Sequence, residues 1–131
     1  MNRELLIDLL KVIIVSFGFQ QLKSENPEPT MIKHIVMWKL HDQANGRLKA
    51  ENAAAFKRQL EQLPAVIPEI QSLEVGIGYK SADGSIFDMV LTTSHAGKDE
   101  LQSYAVHPEH QKVLSFAGSI VAERRVVDYE G

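Results

Sequence analysis

From Ile32 to Leu40 apolar side chains fall on both sides of an extended strand, with His34, Val36, Trp38 and Leu40 on one face and Ile35 and Met37 on the other. A strand apolar on both faces needs cover on both. After a loop over 41–46, Ala53, Phe56, Leu60 and Leu63 recur at helical spacing until Pro64 and Pro68 end the run. Leu73 to Tyr79 alternates as a second strand, Ser81 to Ser85 supplies turn chemistry, and Phe87 to Thr93 forms a third strand, so these two make a hairpin. Lys98 to Ala105 reads as a short helix, Pro108 to Glu123 as a longer one, and Arg125 to Glu130 as a final strand. The order β-α-β-β-α-α-β, with helices crossing one face of a largely antiparallel sheet, is the split β-α-β arrangement of ferredoxin-like α+β folds.

The two late helices meet at Tyr104-Ala105-Val106-His107-Pro108-Glu109-His110. Pro108 has no amide proton and a fixed φ, which suits a first helical turn and stops the helix before it. His110 lies three residues before Val113 and seven before Ala117, on the apolar row that continues to Ile120, so it is expected to face inward. Lys112, Ser115 and Ser119 form the opposite, wet stripe.

Upstream, Leu6, Leu9, Leu10, Ile13 and Phe17 repeat at helical spacing within residues 1–22, and Asp8 and Lys11 interrupt the apolar run, which predicts an amphipathic helical extension and no membrane span. Residues 23–30, with Pro27 and Pro29, read as an extended linker, and the main domain is expected over 31–131. Fourteen basic and 17 acidic residues give a net charge of -3, with no basic block of the kind nucleic acid requires. The cysteine count of 0 removes thiolate chemistry and disulfides. Histidine, carboxylate and tyrosine chemistry remain. The cytoplasm is the expected compartment, with secretion or anchoring through residues 1–22 left open.

Five fragments in order carry a family resemblance: Ile32-Lys33-His34-Ile35-Val36-Met37-Trp38-Lys39, Ile67-Pro68-Glu69-Ile70, Leu73-Glu74-Val75-Gly76, the Tyr104 to His110 motif, and Val126-Val127-Asp128-Tyr129. Together they resemble the stress-responsive A/B barrel (Dabb) family. That resemblance implies a ferredoxin-like subunit that dimerises sheet to sheet into a shared α+β barrel. One branch that this chain resembles at its Tyr and His positions comprises plant polyketide cyclases; there the residues matching Tyr104 and His110 act in catalysis, and the one matching His34 lines the pocket.

Three readings follow. The first is a homodimer without assigned activity that binds a small apolar or carbonyl-bearing ligand between sheet and helices, the pocket drawing on His34, Val36, Trp38, Met89, His107 and Val113. The second is a cofactor-independent cyclase-like or lyase enzyme, in which His110 abstracts a proton next to a carbonyl and Tyr104 stabilises the enolate-like charge. The third, a monooxygenase of the same barrel architecture, rests on fold analogy alone. His107 is expected to cap the second helix of the corner, and neither a metal nor a cofactor is expected. His41 and His95 read as solvated, and Glu69 and Asp88 as surface or strand-edge residues. Burial is expected to hold His110 neutral.

Overall fold

The structure is a computed structural model that describes residues 30–79, 84 and 86–131. The predicted extension and most of the linker lie outside the described residues. Strand β1 runs over Ile32–Leu40, a short hairpin pairs β2 (Gln43–Ala44) with β3 (Arg47–Leu48), and helix α1 covers Lys49–Glu61. A single 3₁₀ turn at Leu63–Ala65 leads to β4 (Ser72–Ile77), and β5 (Met89–His95), α2 (Lys98–Val106), α3 (Pro108–Ile120) and β6 (Val121–Glu130) complete the subunit. The main sheet has the order β4-β5-β1-β6, with every neighbouring pair antiparallel. This is the ferredoxin-like α+β arrangement.

Alternation along β1 sorts its side chains as the sequence pattern requires. Ile32, His34, Val36, Trp38 and Leu40 are buried, while Lys33, Ile35, Met37 and Lys39 face the other side, half-buried or exposed. Trp38 packs on Phe56 of α1 with ring centroids 4.7 Å apart, and Phe56 meets Phe116 of α3 edge-on at 6.1 Å. Aromatic pairs at such tilts gain electrostatic energy beyond their buried area. Phe56→Ala would therefore open the centre of the core, at a cost of about 3–5 kcal/mol.

Several boundaries depart from the sequence reading. Where a 41–46 loop is predicted, residues 43–48 form the β2–β3 hairpin, whose turn places Asn45 and Gly46 at φ 56° and 71°, the left-handed pair that a tight hairpin demands. The third strand extends to His95 because β1 continues to pair with it, Ile32 opposite His95. The last strand begins at Val121, four residues earlier than predicted, because β1 is long enough to pair through Leu40 and captures Val121 directly after α3. Between Lys39 and Leu40 that ladder carries an irregularity, at which Ala122 has no partner. Asp88 sits beside it: its carboxylate accepts the Leu40 N–H at 2.8 Å and faces the Lys49 ammonium at 3.4 Å. Asp88 is thus a tie between β1, α1 and the start of β5, and more than the strand-edge residue its sequence context suggested.

Candidate functional site

The helix-side face of the sheet and the α2–α3 corner enclose a cavity of about 330 Å³. β1 contributes His34, Val36 and Trp38, the corner contributes Tyr104 and His110, and Val113 comes from α3. Six of the eight residues singled out in the sequence therefore line one space. Met89 and His107 do not. Met89 stands opposite Trp38 in the ladder and is spent on the core. His107 ends α2 and caps α3: its Nδ1 accepts the Glu109 N–H at 3.1 Å, satisfying one of the helix's orphan donors.

His110 projects inward from the first turn of α3. Its Nδ1–H donates to the Ala105 carbonyl, 2.9 Å away across the corner, so Nε2 carries the lone pair of the neutral ring. Burial pulls the affinity of His110 for a proton below that of a free imidazole, a fall that the Ala105 bond opposes and the nearby His34 and Arg124 reinforce. Tyr104 stacks on it with ring centroids 4.2 Å apart. Only 1% of Tyr104 is exposed, and burial pushes its hydroxyl pKa up to about 12. Among the described residues that hydroxyl has no hydrogen-bond partner. A buried donor left unpaired costs about 1–3 kcal/mol, so this one stands out in the apolar cavity wall.

Two further histidines bracket the tyrosine. His34 lies edge-on to it with centroids 6.0 Å apart, and its Nδ1–H donates to Asp128 of β6 at 2.5 Å. Its ring orientation is set from the neighbouring strand. His95 stacks behind Tyr104 at 5.0 Å. It is fully buried, against the solvated position expected from sequence: Nδ1–H donates to the Glu69 carbonyl at 2.8 Å, and Nε2 accepts from the Thr93 hydroxyl at 2.8 Å. With both nitrogens bonded, desolvation lowers the His95 pKa and the ring supports Tyr104 from behind. The extension of β5 by two residues is what carries His95 into the interior. His41, by contrast, is exposed.

Phe56, Leu60, Leu91, Leu101, Ala105 and Leu114 complete the apolar wall, and Arg124 adds a cation. None of these was singled out as a pocket residue in the sequence. Helical spacing could have nominated Phe56, Leu60 and Leu101. Arg124 sits in a charged run that reads as solvated surface. Among the described residues no group of three or more histidines and carboxylates is placed to hold a metal ion, and no helix is long and apolar enough to cross a membrane.

The four-stranded antiparallel sheet, its helical layer and the cavity between them define a ferredoxin-like α+β fold with an internal cavity. Residues 32–131 match the Stress responsive A/B Barrel Domain, and the chain belongs to that family. A stress-response A/B barrel domain-containing protein of Arabidopsis thaliana is 26% identical over 97 residues, which make up 74% of this chain and 35% of that relative. The chain thus spans about a third of that relative's length. Among solved structures, a dimeric ferredoxin-like protein of unknown function from Bacteroides fragilis is 33% identical with a TM-score of 0.70, over 77% of this chain and 96% of that one. A dimeric ferredoxin-like protein from Thermobifida fusca has a TM-score of 0.69 at 24% identity, covering 79% and 93%. The hydroxynitrile lyase of Passiflora edulis shares the fold at 16% identity, with a TM-score of 0.62 over 79% and 94%.

Proposed function

We propose that the chain is one subunit of a homodimer, and that the cavity between sheet and helices binds a small, largely apolar molecule bearing a carbonyl or hydroxyl oxygen. The observation that carries this reading is the buried Tyr104 hydroxyl, without a hydrogen-bond partner among the described residues, on a ring that stacks against His110. A ligand oxygen would supply the missing partner, and the aromatic and aliphatic walls would take up the rest of the molecule. At about 330 Å³ the space suits a molecule near one aromatic ring in size. Dimeric relatives of the same fold support the assembly.

Calorimetric titration with a set of small aryl ketones and phenols tests the reading. Saturable binding that weakens about tenfold in Tyr104→Phe is the expected result, the loss of one hydrogen bond to a desolvated group. Failure of the whole set to bind, or equal binding by the variant, overturns it.

A second reading, proton transfer, is favoured by the fixed tautomer of His110. With Nδ1–H held by Ala105, Nε2 is free to accept a proton from carbon next to a ligand carbonyl. The C–H electron pair then becomes an enolate, whose oxygen accepts the Tyr104 O–H. The hydroxynitrile lyase of the same fold gives this reading a precedent for lyase chemistry. Its test is exchange of a ketone's α-hydrogens in deuterium oxide, followed by NMR. Exchange catalysed by the protein and abolished in His110→Gln is expected; a rate equal to buffer removes the reading and leaves binding untouched.

A further inference from the structure

Of the described residues that line the cavity, Leu114 and Arg124 alone are exposed, so these two mark its mouth. Arg124 lies on β6 opposite Trp38, on the face that also carries Val126, Asp128 and Glu130. The other charges of that row are matched: Asp128 holds His34, and Glu130 faces Lys98 at 3.8 Å. Glu123, next in sequence, faces the opposite side with Arg125 and pairs with it at 2.5 Å. Among the described residues the Arg124 guanidinium forms no ion pair, although it stands at the edge of an apolar space.

We propose that Arg124 makes the cavity selective for small organic anions: an apolar body enters between sheet and helices, and a carboxylate stays at the mouth on the guanidinium. This rests on the cavity being a ligand site and adds the chemical class of its occupant. A guanidinium offers a planar fork of donors that matches a carboxylate in two-point geometry, and at the rim it keeps part of its hydration and loses little on binding. The depth order is then set. The apolar end lies against Trp38 and Leu91, any carbonyl or hydroxyl oxygen meets Tyr104, and the anionic end remains outermost. Arg124 also acts on the interior, since its charge opposes the burial-driven rise at Tyr104 and adds to the fall at His110. A bound carboxylate would screen that charge.

Matched pairs test the proposal: phenylacetate, hydrocinnamate and naphthoate, each against its neutral amide, titrated by calorimetry into the full chain. At least one acid is expected to bind about tenfold tighter than its amide, the scale of one charge-assisted contact at a partly exposed site. Arg124→Gln should bring that acid down to its amide while leaving the amide unchanged, and Arg124→Lys should keep part of the preference. Arg124 is exposed and, among the described residues, unpaired, so both variants are expected to unfold at the parent's temperature. Equal binding of acid and amide by the parent, or equal loss of both in Arg124→Gln, overturns the anion preference and leaves the cavity reading standing. Binding of no member of any pair overturns the cavity reading and this proposal together.

Discussion

The imidazole of His34 and the carboxylate of Asp128 meet at 2.5 Å from directly opposed positions of β1 and β6. The contact fastens the edge strand at the level of the cavity and fixes one wall of it. Asp128 is 45% exposed at its side chain, so water screens the pair, and its loss in Asp128→Ala is expected to cost about 1 kcal/mol or less. The sharper readout is local: the Nδ1-bound proton of His34 should resonate far downfield in the parent and disappear into exchange in the variant. An unchanged signal would show that the ring is held by something else.

Tyr104→Phe removes the buried hydroxyl that has no partner among the described residues. Relieving an unpaired buried donor should stabilise the ligand-free protein by about 1 kcal/mol, seen as a rise of a few degrees in thermal midpoint. A residue chosen for packing alone would lose stability on truncation. If the variant melts below the parent, the hydroxyl is satisfied in solution and the main support for a ligand oxygen goes with it.

Burial lowers both His95 and His110 below the 6.5 of a free imidazole. Once unfolded, each ring takes up its proton near that value, whereas in the fold it stays neutral to lower pH. The unfolded state therefore binds more protons in that window, and stability must fall as pH drops through it. The thermal midpoint is expected to decline from about pH 7 to about pH 5, with a shallower slope in His95→Gln and in His110→Gln. A flat profile in the parent would mean that neither ring is desolvated.

Ile35, Met37, Val90, Val127 and Tyr129 share the sheet face away from the helices, Met37 being 39% and Val127 54% exposed. A contiguous apolar face of this kind calls for cover, and a second subunit's sheet is the cover we propose. Met37→Asp or Val127→Asp should convert the dimer to monomer in sedimentation runs at low micromolar concentration. A parent that already sediments as a monomer would refute the assembly.

Met31 to Gly131 forms a compact unit by itself. A chain that begins at Met31 is therefore expected to fold with the parent's thermal midpoint. A drop of several degrees would make the upstream residues part of the core.

The parts legible in the sequence were those encoded within one element. The alternation of Val36, Trp38 and Leu40 and the row from His110 through Val113 to Ala117 each follow from one period, so the inner faces of β1 and α3 could be read directly. His95, Asp128, Arg124 and Asp88 were missed or misplaced because their roles arise from register between distant strands. Asp128 meets His34 from 94 residues away, and Asp88 ties Leu40 from 48 away. No local period announces such partners, and a polar residue at the end of an apolar run looks solvated until its neighbour strand is known.

The unpaired Ala122 has an effect on the cavity's charge. Because it drops out of the ladder, Glu123 stands opposite Lys39 and Arg124 opposite Trp38. Were Ala122 seated opposite Lys39, each later residue of β6 would turn over, and Glu123 would stand across from Trp38 where Arg124 now does. The sign of the electric field at the entrance is thus decided by one residue's omission from the strand pairing.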